Sequence, residues 1–256
     1  YIEKDAKINE MIDALRHAST ASLLSRKDVI IVASVSCIYG LGSPEEYQKV
    51  SIELKIGQKI SQKELLKQLV LLQYVRNPID PRQGHFRVRE NTIEIYLPSG
   101  EEIIQIELDE NSVTSIKRRP VKTLELTTYN LQTIRIFPAK HFVTPQTKLE
   151  LAMENIRREL KDRLEELRKQ DKVLEAARLK QRTEFDLEML QATGYVNGIE
   201  NYSRQLDFRP AGTPPHTLLD YFHFAHGNDF LVFLDESHAT VPQFRGMYHG
   251  DRSRKN

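Results

Sequence analysis

The sequence predicts a mixed α/β protein: an α/β body into which a small α+β domain with an antiparallel sheet is inserted. Two wholly apolar runs, within residues 28–33 and 230–234, are typical of strands buried on both faces of a parallel sheet. Between them, the spacing of apolar residues changes from helical to alternating near His85 and returns to helical after Thr144. The two runs therefore belong to one body, and the alternating stretch belongs to a separate domain within it.

Before the alternating stretch, the chain is predicted to be mainly helical. Residues 4–26 place apolar side chains at helical spacing, with charges on the opposite face. Ser43 and Pro44 start another helix, because a capping hydroxyl precedes a proline at the first helical position. Ser61 opens an apolar helix as the first residue of a capping box. A loop of small residues, 34–42, is expected at the carboxyl end of the first buried strand.

The alternating stretch is predicted to form a small antiparallel sheet with one apolar and one solvated face. Its short strands are separated by turn-forming residues such as Asn91, Gly100 and Asn111. The predicted strands are residues 85–89, 92–96, 102–108, 113–117 and 133–137.

Residues 144–192 are predicted to form two antiparallel helices. Leu149, Met153 and Ile156 begin an apolar stripe on a highly charged background. The predicted boundaries beyond it are a break at 170–172, a helix end at Gly194, a loop at 209–215 and a short helix at 218–222.

The composition indicates a soluble globular chain. Hydrophobic residues make up 39% and charged residues 29%, and the formal net charge is +1, so any basic surface must be local. The single cysteine, Cys37, excludes an internal disulfide framework and is typical of a reducing compartment. No apolar run approaches the length of a membrane span. We therefore expect a cytoplasmic protein.

Two adjacent carboxylates, Asp235 and Glu236, directly follow the second apolar run. Ligands of parallel α/β sheets bind at the carboxyl ends of strands, where these side chains would emerge. Nucleotide hydrolases use such a pair, with one carboxylate holding Mg²⁺ and its neighbour orienting the attacking water. A strand that ends in an ordinary polar turn has the same residues, so the pattern by itself leaves both interpretations open.

Arg87 and Arg89 are two residues apart on a predicted strand and therefore point to the same face, while Phe86 and Val88 point to the core. Two neighbouring guanidinium groups make a strong anchor for carboxylates on a partner. The alternative interpretation is a solvated sheet face without a partner.

Six strings of the sequence resemble, in one order along the chain, the UvrB family of bacterial nucleotide-excision repair, whose members are related to superfamily 2 helicases. The strings are residues 32–42 (VASVSCIYGLG), 86–89 (FRVR), 137–144 (FPAKHFVT), 198–204 (GIENYSR), 235–238 (DESH) and 245–255 (RGMYHGDRSRK). The resemblance implies a P-loop NTPase fold, in which part of a RecA-like motor lobe carries an inserted domain. It also implies an internal fragment that ends before the second motor lobe.

The resemblance implies a domain plan of four segments. They are part of the first motor lobe at 1–44, the inserted UvrA-docking domain at 45–137, a helical and loop part of the lobe or of a flanking subdomain at 138–224, and the Walker B strand with a DNA-facing motif at 225–256.

For the site, the resemblance implies that Asp235 binds a metal ion, Glu236 activates water and His238 links the nucleotide state to DNA contacts. ATP and Mg²⁺ would serve the full-length protein, a DNA-dependent ATPase subunit of the excinuclease system. The phosphate-binding pattern G-x-x-x-x-G-K-[ST] is absent from this sequence. We therefore expect this chain alone to hold no cofactor and to be inactive.

The resemblance also implies three partners. UvrA would dock on Arg76, Arg87 and Arg89 of the inserted domain, and UvrC would be recruited through regions outside this chain. Damaged DNA, received from UvrA and verified with the help of ATP before incision, would contact hydroxyls, amides, aromatic rings and cations. The residues expected to do so are Ser34, Ser36, Tyr39, Asn201, Tyr202, Arg204, Arg245, Arg252, Arg254 and Lys255.

A different class of function is also open. Transcription-repair coupling factors carry a UvrB-like region that docks UvrA without ATPase motifs, and the absent phosphate loop would suit such a non-enzymatic module. The intact strings at 198–204 and 235–238 favour the UvrB family itself.

Overall fold

The structure is a computed structural model that describes residues 10–121, 128–142, 144, 146–210 and 212–255. Of residues 146, 147 and 251–255 it describes only the backbone. The described chain divides into two compact units. The first holds the described residues up to Val32 together with Tyr47–His141, and the second holds Ala33–Glu46 and the described residues from Phe142 onward.

Helices and short strands alternate along the chain. In chain order the elements are α1 (Glu10–Ser25), α2 (Val35–Ile38), α3 (Pro44–Lys49), β1 (Ile52–Lys55), α4 (Gln62–Leu71), β2 (Val75–Arg76), β3 (His85–Arg89), β4 (Thr92–Tyr96), β5 (Glu102–Asp109), β6 (Ser112–Pro120), β7 (Tyr129–Asn130), β8 (Thr133–Ile136), α5 (Gln146–Lys169), α6 (Val173–Thr193), a 3₁₀ turn (Ile199–Tyr202), α7 (Ser203–Leu206), α8 (Leu218–His226) and α9 (Ser237–Lys255).

The first unit is built on a six-stranded sheet in the order β2-β3-β4-β5-β6-β7. Its pairs are antiparallel except for the edge strand β2, which runs parallel to β3. Alternate residues of β3–β6 point into the core, where they join Leu65, Leu69 and Leu72 from the α4 segment. The two-stranded sheet of β1 and β8 contributes Leu54 and Ile136 to the same core.

The predicted antiparallel sheet is confirmed, with two differences. The strands β3 and β4 occupy the predicted residues, whereas β5 and β6 are longer than expected. The predicted strand at 133–137 exists as β8 but pairs with β1, a strand that was not predicted because it is only four residues long and lies between helices. The helix starts are also confirmed, since Pro44 begins α3 and the Ser61 hydroxyl accepts a hydrogen bond from the Glu64 backbone N–H at 3.2 Å.

The second unit contains the predicted helical hairpin. The break falls at 170–172, where Asp171 adopts a positive φ of 60°. The first half of α5 shares a hydrophobic cluster with the last turns of α6, whereas Leu164 and Leu167 near its end cluster with Ala176 near the start of α6. This reversed order makes the two helices antiparallel, as predicted.

Two strand predictions are wrong for this structure. Residues 28–33 and 230–234 form no strand, and most of their large side chains are exposed, with Ile30 at 94% and Phe233 at 87% of full exposure. A strand buried on both faces requires neighbouring strands for its backbone groups and covering helices for its side chains. No described strand pairs with either run. The loop predicted at 34–42 also contains the short helix α2.

A stack of buried rings joins distant segments of the first unit. The His17 ring of α1 stacks on the His141 ring at 3.9 Å between centroids, with 19° between their planes. The Tyr47 ring stacks on Phe137, and the Tyr47 hydroxyl donates a hydrogen bond to the Pro138 carbonyl at 3.3 Å. Burial, together with the positive charges of Lys140 and Arg16, lowers the pKa of His17 to about 3. Burial likewise holds the pKa of His141 well below its usual range.

We predict that acid destabilises this unit through the two histidines. Both are neutral when folded and regain an ordinary pKa near 6.5 when unfolded, so their stabilising effect is complete above pH 6.5 and is lost as the pH falls below it. At pH 5.5 each should cost about 1.4 kcal/mol of the free energy of unfolding relative to pH 7.5, measured by urea unfolding.

A matched pair of substitutions tests this pH dependence. His17→Phe keeps a ring in the stack but removes one titrating group, so the loss of stability between pH 7.5 and 5.5 should be about half as large. His238→Phe changes an exposed histidine and should leave the loss unchanged. A full pH dependence in His17→Phe would contradict the assignment.

Candidate functional site

The outer face of the six-stranded sheet carries a row of charged and polar side chains. Strand register sets Arg87 opposite Glu94, Glu94 opposite Gln105, and Gln105 opposite Lys117. Phe86, the neighbour of Arg87, is buried in the core. The prediction that Arg87 and Arg89 share the outer face is therefore confirmed.

Glu94 is the centre of this face. Its carboxylate is buried and accepts a hydrogen bond from Arg87 Nε, while Arg119 Nη2 lies 3.4 Å from its other oxygen. The Arg87 guanidinium also lies over the Tyr96 ring, 5.8 Å from its centroid. Burial opposes ionisation of Glu94, but the Arg87 hydrogen bond and the charges of Arg87, Arg119 and Arg89 outweigh it and hold the pKa of Glu94 below its usual range. The carboxylate therefore stays ionised and fixes the position of Arg87.

Arg76 and Arg89 differ from Arg87 in being exposed. Neither makes an ion pair or a hydrogen bond through its side chain with another described residue. Lys117, on the same sheet face, is paired with Glu107 at 2.7 Å. The outer face therefore presents one available cation, Arg89, beside one arginine that is already held in place. Arg76 lies on the edge strand β2 opposite Phe86, so it points to the other face, toward α4.

The role of Glu94 was not predicted from the sequence. A signal was present, since the two-residue turn at Glu90 and Asn91 fixes the register of the β3–β4 hairpin. Counting back from that turn sets residue 94 opposite Arg87. Its burial depends on packing across the sheet, which the turn alone does not report.

The residues proposed for DNA near the start of the second unit lie on and beside α2. Ser34 is its N-terminal cap residue, and its hydroxyl lies 3.0 Å from that of Ser36 and 3.3 Å from Cys37 Sγ. Ser34 and Ser36 are exposed, and Tyr39 is half-buried. The serine hydroxyls thus face solvent from a short helix and not from the open loop that was expected.

Of the three candidate DNA contacts within residues 201–204, two already bond to other side chains of the helical unit. The Tyr202 hydroxyl donates to Asp186 Oδ2 at 2.6 Å, which is in keeping with a pKa raised by burial and by that carboxylate. Arg204 forms an ion pair with Glu159 at 2.6 Å. Asn201 is exposed. Of these three, Asn201 is the side chain that is open to solvent.

The two carboxylates proposed for metal and water chemistry lie in an exposed turn before α9. The Glu236 backbone N–H donates to Asp235 Oδ1 at 3.0 Å, and Glu236 has a positive φ of 49°. His238 Nε2 lies 3.4 Å from a Glu236 carboxylate oxygen. Arg245 lies on α9. The side chains of Arg252, Arg254 and Lys255, also on α9, lie outside the described part of the chain.

One cluster has the composition of a metal site but not the geometry. Asp13, His17 and His141 have ligand atoms within 4.8 Å of one another. The two imidazole rings are nearly parallel, however, so their nitrogen lone pairs lie in separate planes and do not converge on one ion. We interpret these residues as part of the buried ring stack.

Two sequence profiles match the chain. The profile described as the UvrB interaction domain matches residues 52–142, and the one described as the UvrB third helical domain matches residues 147–208. The chain is 54% identical over its whole length to UvrABC system protein B of Geobacillus kaustophilus. It is similarly 54% identical to that of Clostridium botulinum strain Loch Maree and 52% identical to that of a Cyanothece species. The chain belongs to the UvrB family.

The chain spans 38% of the length of each of these UvrB relatives. The surface around Glu94 falls in the interaction domain, and the α5–α6 hairpin falls in the third helical domain. The match to UvrB proteins along the whole chain does not favour the alternative of a transcription-repair coupling factor. None of the described helices combines the length and the hydropathy that crossing a bilayer requires.

We predict that Glu94→Gln destabilises the first unit. The change leaves Arg87 and Arg119 without a counter-charge on a partly buried face, which should lower the free energy of unfolding by about 1–3 kcal/mol. The control is Glu107→Gln, because the Glu107–Lys117 pair is about one-third exposed and should contribute less than about 1 kcal/mol. Urea unfolding measures both. Equal effects of the two substitutions would contradict the central role of Glu94.

Proposed function

We propose that this chain is the part of UvrB that docks UvrA during bacterial nucleotide-excision repair. Arg76, Arg87 and Arg89 are the proposed contact residues. The single observation that carries the proposal is the basic surface of the UvrB interaction domain, where the exposed Arg89 accompanies an arginine fixed by a buried carboxylate and the exposed Arg76 lies on the neighbouring edge strand. Such a surface suits a partner that presents carboxylates.

The roles of the three arginines differ in this proposal. Arg87 is held by Glu94 and by the Tyr96 ring, so it loses little side-chain freedom when a partner binds. Arg76 and Arg89 are exposed and must be ordered on binding, but they have no ion pair or side-chain hydrogen bond to another described residue to give up. Arg87 therefore positions the surface, while Arg76 and Arg89 supply most of the new ion pairs.

We further propose that the full-length protein accepts damaged DNA from UvrA, verifies the lesion with ATP and recruits UvrC for incision, in the cytoplasm. The similarity of the whole chain to UvrABC system protein B supports this. In that protein, residues 28–33 and 230–234 would be strands of a RecA-like superfamily 2 motor lobe. Their exposed apolar side chains support the proposal, because such side chains are buried when neighbouring strands and helices cover them.

The nucleotide role of the exposed turn is part of the same proposal. Adjacent carboxylates with open coordination positions suit Mg²⁺, which binds through one or two carboxylates together with phosphate oxygens. Asp235 would hold the ion, Glu236 would orient water and His238 would relay the nucleotide state to the DNA contacts. Bound ATP would supply the phosphoanhydride bond that is hydrolysed. The residues of this chain include no phosphate-binding G-x-x-x-x-G-K-[ST] loop, so we expect no turnover from it alone.

We propose two classes of DNA contact. Ser34, Ser36, Tyr39 and Asn201 offer hydrogen bonds to the DNA backbone without reading its sequence. Arg245, Arg252, Arg254 and Lys255 offer positive charge along α9. Tyr202 and Arg204 would first have to exchange Asp186 and Glu159 for DNA, so we propose that they support this surface and contact it only at its edge.

We predict that Arg76→Ala combined with Arg89→Ala weakens UvrA binding while leaving the fold intact. The loss should be about 30-fold or more, because truncation of anchoring arginines typically costs 2 kcal/mol or more. Isothermal calorimetry of the chain with UvrA measures the affinity, and circular dichroism checks the fold.

Arg157→Ala combined with Arg178→Ala is the matched control, since these arginines are also exposed but lie on α5 and α6 of the second unit. Its effect on UvrA affinity should be less than twofold. If the control weakened binding as much as the double substitution did, the effect would come from net charge and the docking surface would be misassigned.

A further inference from the structure

A shallow groove opens between α4 and the β2–β3 edge of the sheet. It has a volume of about 350 Å³ and is lined by Leu66, Lys67, Val70, Leu71, Arg76 and Phe86. The wall from α4 and the wall from the strands each carry one cation, Lys67 and Arg76 respectively. The rest of the lining is apolar.

The groove exists because only part of the apolar arc of α4 packs against the core. Leu65 and Leu69, four residues apart, are fully buried against the sheet. Val70 and Leu71 follow on the adjacent arc and remain 56% and 60% exposed. Exposed aliphatic side chains that are contiguous along a groove mark an interaction site.

The charges around the groove select its occupant. Lys67 makes no ion pair or side-chain hydrogen bond with another described residue, and the same holds for Arg76. An occupant that buries apolar side chains here must therefore satisfy a cation on each wall. An apolar residue flanked by carboxylates meets both requirements.

The groove and the basic surface around Glu94 lie on the two faces of the same sheet edge. Arg76, which is opposite Phe86 in the register of β2 and β3, lines the groove, whereas Arg87 and Arg89 face outward. Phe86, at the floor side of the groove, is adjacent in β3 to Arg87. A partner that contacts Arg89 and reaches around the edge strand to Arg76 would also reach the groove.

We propose that this groove is the apolar half of the UvrA-docking surface, and that it takes an apolar side chain carried on an acidic segment of UvrA. The inference rests on the proposed function and adds a recognition element to it. The arginines steer and orient the partner, while the groove supplies the apolar burial that slows dissociation.

The test uses Val70→Asp and Leu71→Asp in the full chain, with binding to purified UvrA measured by calorimetry at several temperatures. Each substitution places a carboxylate in the groove and should lower the affinity at least tenfold. The heat-capacity change of binding should also become less negative, because less apolar surface is buried. Val173→Asp is the control, since Val173 is 64% exposed on a helix of the second unit, and it should leave both quantities unchanged.

The outcomes separate this inference from the proposed function. If the Arg76 and Arg89 double substitution weakens binding but the groove substitutions do not, the inference is overturned and UvrA docking stands. If none of these substitutions affects UvrA binding, both are overturned. If the groove substitutions abolish self-association in sedimentation experiments but leave UvrA affinity unchanged, the groove takes a second copy of this chain and the inference is overturned.

Discussion

The alternation of side chains along β3–β6 is the constraint on which the functional surface depends. Because successive residues point to opposite faces, Phe86 enters the core while Arg87 and Arg89 face outward. A register slip of one residue would bring arginine into a core of leucine and isoleucine and expose Phe86. The same pairing that builds the core therefore fixes the cations, and Glu94 holds the central one in place.

This arrangement explains why the two faces of the domain can act together. The outer face offers ionic contacts that are strong only in the right geometry, and the Glu94–Arg87 pair supplies that geometry before a partner arrives. The groove beside α4 offers apolar area that needs no fixed orientation. A surface that combines both can use charge for selectivity and apolar burial for residence time.

The sequence could predict what short-range patterns encode. The hairpin strands, the Ser61 cap and the break at 170–172 depend on residues a few positions apart, and all three are present. The strand predictions for residues 28–33 and 230–234 were wrong because a buried strand depends on partner strands far away in sequence, and no described strand adjoins these residues. The same limit applies to the candidate site. The shared face of Arg87 and Arg89 was predictable from the sequence, but the burial of Glu94 was not. Likewise, nothing near His17 signals its stacking on His141.

Amide hydrogen exchange of this chain, with and without UvrA, maps the docking surface without altering it. If the interaction domain docks UvrA, binding should slow exchange in α4, β2 and β3 and in the turn between the two strands, with little change in the hairpin of α5 and α6. Protection confined to residues 147–208 or to α9, with the interaction domain unchanged, would contradict it.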